Sequence, residues 1–299
     1  MRARRLPRVP ARLRPPTWSL RLLAVVVAVA VPCLTLPSLP SVSWQPVLLG
    51  LLPWVVGKYV LCPLRWHALS ESGKSRRWHL RAYAESELMG LLTPGHVGAD
   101  LWRVKRLKGI GMPTASGAAE VGLDRFVGAI GLAIFVVFAG AALPTQMLLT
   151  AFGLAGVVVL AVLVVKRVRP DLVPQRRLPT PRKLVHGVLL SMGYQLTICA
   201  LLLGAVAATG HTLTPLELLG AFGASQLAGA VPGPHGASPR DGALVVALVA
   251  LGLPWQAALG AVSLKAALAW LPGILLGGVS LLVARRLGAG LRRGAPVPA

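Results

Sequence analysis

Long apolar stretches separated by short basic segments dominate the pattern of the sequence. Six stretches are long enough for a helix to cross the hydrocarbon core of a bilayer, which is about 30 Å thick and needs about 20 apolar residues. The third and the sixth have about 31 residues each and are expected to tilt or to project into water. The six predicted spans are Leu20–Leu36, Pro46–Leu64, Pro113–Leu143, Gln146–Val165, Leu184–Ala208 and Pro254–Ala284.

Two further apolar segments are interrupted near the middle. Arg81–Lys108 is broken at Pro94-Gly95. Leu213–Leu251 is broken at Pro232-Gly233-Pro234. The pieces, of about 13 to 18 residues, are mostly too short to cross a bilayer alone. We interpret each segment as a re-entrant helical hairpin, so the pattern predicts an all-α polytopic membrane protein with about six transmembrane helices and two re-entrant hairpins.

The hairpin tips are predicted to place non-helical backbone at membrane depth, which is tolerated only inside protein or along a wet cavity. The half-helix after each tip offers free N–H groups that suit an anion such as a lipid phosphate. A titrating histidine at each tip could also couple protons to movement. The tip residues are Pro94, Gly95, His96, Gly98, Pro232, Gly233, His235 and Gly236.

Composition and charge support a membrane location and predict an orientation. Of the 299 residues, 55% are apolar and 13% are charged, whereas a soluble domain carries about 25% charge. The net charge is +22, and 27 of the 31 Lys and Arg lie in the termini and in the loops predicted on one face. Because short cytoplasmic loops are enriched in Lys and Arg, both termini are predicted to be cytoplasmic. Cations interleaved with spans in this way exclude nucleic acid as the default partner.

The sequence also contains an internal repeat. A shift of 141 residues aligns Thr93–Arg125 with Pro234–Ala266 without gaps, and eight of 33 positions coincide, Asp100 with Asp241 among them. Each half then has three spans and a hairpin, so the halves are predicted to be inverted repeats, a transporter architecture. The predicted domains are a basic tail at 1–18, one transmembrane domain at 19–284 with halves of about 19–143 and 146–284, and a basic tail at 285–299.

Charged residues within the apolar segments are the candidates for a site, because a charge at the bilayer centre costs about 2.5–3.5 kcal/mol on insertion scales. Glu120 and Asp124 are four residues apart and share a helix face, while Arg125 can reach a neighbouring element. Lys265 is expected to face the same interface from the second half. The predicted substrate-binding residues are Asp100, Arg103, Glu120, Asp124, Arg125, Arg240, Asp241 and Lys265.

Structural roles are the alternative for several of these residues. Asp100 and Asp241 fit the first turn of a helix, with Ser238 as the N-cap of the second one. On this interpretation they cap helices, or neutralise Arg103 and Arg240, instead of contacting a substrate. Lys58 is predicted to extend its ammonium group towards the cytoplasmic end of its span.

Two signatures resemble a known family. The first comprises Leu92 to Arg103 (LTPGHVGADLWR), Leu107 to Gly111 (LKGIG) and Val121 to Gly128 (VGLDRFVG). It is similar to a signature of the lysylphosphatidylglycerol synthase transmembrane-region family, the flippase-like membrane proteins of bacteria and archaea. The second runs from Pro232 through Arg240-Asp241 to the Gly-x-Pro turn that ends at Pro254. Here the sequence has Asp241 where family members usually have Glu, and Pro234 and Pro239 are additional prolines.

The resemblance, which covers about Leu48 to Leu282, implies translocation of a lipid across the cytoplasmic membrane of a prokaryote. The cytosolic domain that aminoacylates the lipid in the best-known members has no counterpart in this sequence, so the substrate is expected to be a phospholipid or a polyprenyl-phosphate-linked lipid. The expected partners are membrane lipids with a phosphate headgroup.

Two other functions remain open from the residues. One is a non-transporting scaffold that presents a lipid to a glycosyltransferase or lipid-modifying enzyme through the loop at Lys166–Lys183. The other is an intramembrane transferase that uses Asp100 or Asp124 as a base. The sequence has no metal-ligand spacing, Walker loop, nucleophile elbow or dinucleotide fingerprint, so we expect no catalytic residues, metal or cofactor.

Overall fold

The computed structural model describes residues 43–91, 93, 97–138, 179–227 and 238–293, together with the single positions 160, 164, 167 and 168. Helices make up the described part of the chain, and no strand occurs in it. Several predictions lie outside the described residues: the first and fourth spans, most of the loop at 166–183, the N-terminal tail and every tip residue except Gly98.

Four helical segments are long and apolar enough to cross a membrane, and they coincide with the second, third, fifth and sixth predicted spans. The first is built from α1 (Trp44–Val56), a π-helical turn (Gly57–Leu61) and α2 (Cys62–Leu69). The others are α5 (Thr114–Phe138), α6 (Pro181–Ala208) and α9 (Trp255–Arg293). At 1.5 Å per residue the 39 residues of α9 extend about 58 Å, so this helix reaches beyond the hydrocarbon core as predicted.

Each predicted hairpin segment contains two shorter helices that pack against each other. The first pair is α3 (Arg76–Leu91) with α4 (Val97–Lys108), and the second is α7 (Pro215–Leu227) with α8 (Pro239–Ala250). The longest, α3, has 16 residues and is about 24 Å long, which is less than the thickness of the hydrocarbon core. The two interrupted segments are therefore helix pairs whose members are too short to span alone.

The turns that follow α4 and α8 have matching geometry. Gly111 and Gly252, 141 residues apart, both have positive φ, at 96° and 93°. The Met112 N–H donates to the Leu107 carbonyl and the Leu253 N–H to the Leu248 carbonyl, both at 3.2 Å. This is a helix C-terminal motif that favours glycine. Local structure thus repeats at the interval found in the sequence.

The core lies where α1, α5 and the helices of the second half meet. Gly50 allows α1 to approach α6 closely, since a Cβ there would lie 2.5 Å from the Ala200 carbonyl oxygen. Large apolar side chains outside this core are exposed, such as Leu49 at 72%, Phe138 at 79% and Leu275 at 64%. Exposed apolar side chains on long helices fit contact with lipid.

Candidate functional site

A cavity of about 90 Å³ lies between helices of both halves of the described structure. At roughly 15 Å³ per water it has room for about six waters. Leu91, the last residue of α3, and Arg240, in the first turn of α8, both line the cavity. The helix that leads into the first predicted tip and the helix that leaves the second one therefore converge on one space.

The polar wall of this cavity consists of two ion pairs and an arginine. Lys58 Nζ lies 2.9 Å from Glu87 Oε2, and Lys265 Nζ lies 3.5 Å from Asp241 Oδ1. Arg240 donates from a terminal nitrogen to Gln226 Oε1 at 3.3 Å. The aromatic and larger apolar side chains of the wall are Trp54, Tyr59, Tyr194, Phe222, Leu91, Ile198 and Leu201.

The π-helical turn positions Lys58 in this wall. A π turn inserts one extra residue into a helix and occurs frequently at functional sites. Gly57 opens the turn against α6, where a Cβ would collide with the side chain of Thr197. Lys58 Nζ then lies 5.9 Å and 5.6 Å from the ring centroids of Tyr83 and Tyr194, within the range of cation–π attraction.

The capping interaction at the start of α8 holds Asp241 in place. The Ser238 hydroxyl accepts from the Asp241 N–H at 3.2 Å, and Asp241 Oδ2 accepts from the Ser238 N–H at 3.3 Å. This confirms the predicted cap. Asp241 Oδ1 faces Lys265, so one carboxylate both caps a helix and contributes to the cavity.

A second ionic cluster lies outside the cavity, around Asp124 in α5. Arg65 Nε and a terminal nitrogen of Arg103 each donate to Asp124 at 2.8 Å. Arg65, Arg103 and Asp124 are 6%, 2% and 0% exposed. Gly128 leaves the space for the Arg65 guanidinium, because a Cβ there would lie 2.9 Å from its nearest nitrogen. The Arg103 guanidinium also lies 4.3 Å from the ring centroid of Trp66.

Glu120 lies one helical turn before Asp124 and accepts hydrogen bonds from a neighbouring segment. Its Oε1 accepts from Trp66 Nε1 at 2.9 Å and from the Ser70 hydroxyl at 2.7 Å. Its Oε2 accepts from the Glu71 N–H at 3.2 Å. Glu120 therefore fixes the end of α2 and the start of the following loop.

The eight predicted site residues are divided between these places. Arg240, Asp241 and Lys265 line the cavity, whereas Arg103, Asp124 and Glu120 are buried outside it. The remaining two form a partly exposed pair, with Arg125 3.0 Å from Asp100. Asp100 lies 3.9 Å from Arg103, so it contributes weakly to that side chain.

Three sequence interpretations need correction in detail. Lys58 does not extend towards the cytoplasmic end of its span; its side chain is 14% exposed and pairs with Glu87 inside the cavity wall. The printed partner of the Arg240 guanidinium is Gln226, while Asp241 pairs with Lys265. Among the tip residues, Gly98 is described, and its N–H donates to the Thr93 hydroxyl at 2.7 Å within the first hairpin pair.

Sequence reasoning missed Glu87 and Arg65. Glu87 belongs to an apolar segment with few acids, and that imbalance was a usable signal that it needs a buried cation. Arg65 was counted with the loop that follows it, although Trp66 to Leu69 continue the helix for another turn. A lone arginine one turn inside a helix end is a candidate for inward pairing.

The cavity can bind an anion. Three cations against two carboxylates leave one net positive charge, and the surrounding aromatic and apolar side chains lower the local dielectric and so strengthen electrostatic attraction. Two of the cations are lysines, which bind phosphate as point charges, and the third is an arginine. The cluster around Asp124 has no comparable space and is suited to holding helices together.

Comparisons with known proteins agree with this picture. Searches of the curated proteins and of the solved structures returned no match. Residues 17–277 match the family described as lysylphosphatidylglycerol synthase TM region, which is most of the chain. That range includes every described helix that lines the cavity and the cluster around Asp124. The chain is a multi-pass membrane protein that belongs to the lysylphosphatidylglycerol synthase TM region family.

Proposed function

We propose that the protein is a flippase-like transporter that moves a phospholipid or a polyprenyl-phosphate-linked lipid across the cytoplasmic membrane. The observation that carries this proposal is the cavity in which Lys58, Glu87, Arg240, Asp241 and Lys265 meet between helices of both halves. Membership of a lipid-related membrane family supports it.

Charge complementarity favours a phosphate headgroup as the ligand. A phosphodiester carries one negative charge, which compensates the single net positive charge of the cavity wall. Charges buried in a membrane protein are costly unless they are paired or functional, and such residues commonly mark a substrate path. The 3.5 Å separation of Lys265 and Asp241 is long for an ion pair and leaves the ammonium group able to turn towards an incoming oxygen.

The acyl chains of the lipid stay in the bilayer in this mechanism. The exposed apolar faces of the spans contact lipid, and the headgroup alone enters the cavity. Rocking of two inverted halves about the cavity then exposes the headgroup to each leaflet in turn. The repeated turns at Gly111 and Gly252 support an internal repeat, and the sidedness of the basic loops supports cytoplasmic termini.

Reconstitution into vesicles tests the proposal. Vesicles with and without the protein receive a fluorescent phospholipid or polyprenyl-phosphate lipid, and a membrane-impermeant quencher reports the fraction in the outer leaflet over time. We expect faster exchange with the protein for at least one of these lipids. Mass spectrometry of the recovered lipid is expected to show an unchanged chemical structure, as transport without catalysis requires.

Matched variants connect the transport to the cavity. Lys265→Met removes a cavity cation, and we expect exchange to slow at least about tenfold, which corresponds to about 1.4 kcal/mol. Lys108→Met removes an exposed cation in the last turn of α4 and is expected to leave the rate unchanged. Lipid that binds but exchanges no faster than in empty vesicles would contradict transport and favour the scaffold alternative.

A further inference from the structure

A second cleft, of about 270 Å³, lies beside the loop that joins α2 to α3, at the end of the molecule where the basic loops are predicted. Its polar lining comes from His67, Ser70, Ser72, Lys74, His79 and Lys183. It shares no lining residue with the cavity between the halves, so its ligand is a separate question.

The floor of this cleft is held rigidly. The Ser70 hydroxyl donates to the Ser72 hydroxyl at 2.7 Å as well as to the buried Glu120. His79, which is 1% exposed, has Nε2 3.5 Å from the Ser72 hydroxyl and Nδ1 3.0 Å from the Ser75 carbonyl. Gly73, with φ of 66°, allows the loop to turn over this floor. The polar groups are therefore preorganised and not dependent on a ligand for their positions.

The electrostatics of the cleft suit an anion. Two lysines and two histidines line it, and none of the lining side chains that the structure describes is a carboxylate. The nearest buried carboxylate, Glu120, already accepts three hydrogen bonds. Lys183 lies in the first turn of the 28-residue α6, whose N-cap Thr180 makes no side-chain cap, so the positive end of that helix adds to the attraction.

The groups present match a phosphate better than a carboxylate. Lysines are common phosphate-binding residues, whereas the planar fork that recognises a carboxylate in two places belongs to arginine, which does not line the cleft in the described structure. Hydroxyl and imidazole groups add hydrogen-bond donors to the same space. The cleft lies directly after a predicted span, next to the membrane surface, where both lipid headgroups and soluble phosphorylated compounds are accessible.

We propose that this cleft is a second anion site, which binds a phosphate group through Lys74 and Lys183 over a floor of Ser72 and His79. The phosphate belongs to a lipid headgroup or to a soluble phosphate compound. This site is independent of the proposed transport, because no side chain is shared with the cavity.

Binding measurements on the full chain in phosphatidylcholine nanodiscs test the proposal. One arm titrates inorganic phosphate and glycerol phosphate by calorimetry, and the other adds phosphatidylglycerol to the nanodiscs and counts retained lipids by native mass spectrometry. We expect binding in at least one arm, weaker at high salt, and the arm that responds identifies the source of the phosphate.

Paired charge removals locate the binding. In the double variant Lys74→Gln with Lys183→Gln, both side chains are exposed, so folding is expected to persist while affinity falls about fivefold or more. Lys105→Gln with Lys108→Gln removes the same charge from α4 and is expected to leave affinity within about twofold. The proposal is overturned if neither arm shows binding, or if both double variants weaken it equally.

Discussion

The two ends of the internal repeat, α4 with α5 and α8 with α9, share a backbone motif but differ in their charges. Asp124 and Lys265 occupy equivalent positions 141 residues apart, one acidic and the other basic. Asp124 is fully buried between two arginines at 2.8 Å. Lys265 is 3.5 Å from one carboxylate and faces a cavity. The first end is a dry, satisfied cluster that stabilises the fold, and the second is an open one with capacity for a ligand.

Asp124→Asn is expected to have the largest effect on stability. The neutral side chain leaves Arg65 and Arg103 buried without a counter-charge, and removing one partner of a buried ionic cluster costs about 3–5 kcal/mol. Denaturant unfolding in detergent measures the loss. Asp100→Asn makes the same chemical change at a partly exposed pair and is expected to cost less than about 1 kcal/mol. Equal losses for the two variants would remove the distinction between a buried cluster and a surface pair.

Alanine at the matched glycines tests whether the shared turn is equivalent at both ends. Gly111→Ala and Gly252→Ala each force a side chain into the left-handed region, at a cost of about 1–2 kcal/mol, while open space around both positions rules out a clash. We expect the two free energies of unfolding to fall by similar amounts. A large difference would show that the two turns carry unequal loads despite their common geometry.

Ser238→Ala tests the capping interaction that belongs to the second end alone. Loss of the cap is expected to cost about 1 kcal/mol and to release Asp241, so that lipid transport also slows. Thermal unfolding and the vesicle assay measure the two effects separately. Ser238→Thr keeps the hydroxyl group and is expected to restore both, which a role of Ser238 in packing alone does not predict.

Lys265→Met is expected to have the smallest effect on stability. The pair it breaks is loose, and Asp241 keeps its hydrogen bonds with Ser238, so the free energy of unfolding is expected to change by less than about 1 kcal/mol. The contrast with Asp124→Asn at the equivalent position is the sharpest test of the comparison. A loss as large as that of Asp124→Asn would assign Lys265 a structural role.

The helices and the turns after α4 and α8 were predictable because they depend on local properties. Span length follows from runs of apolar residues, and Ser238 with Asp241 forms a recognisable helix start. The pairing of Lys58 with Glu87, and of Arg65 with Asp124, was not predictable in the same way. These contacts join residues distant in sequence, and they depend on how each helix is rotated about its axis, which the π-helical turn changes within the first described span.

That π-helical turn puts the two arms of the span out of step by one residue. An α-helix advances about 100° per residue, so deleting one residue from Gly57–Leu61 would restore ordinary helical hydrogen bonding and turn α1 by about that angle relative to α2. Gly50 would then leave its contact with α6, and a bulkier neighbour would meet the Ala200 carbonyl in its place. A chain shortened there would keep an intact helix and lose the alignment between its upper and lower contacts, which makes residue number in this segment as constrained as residue type.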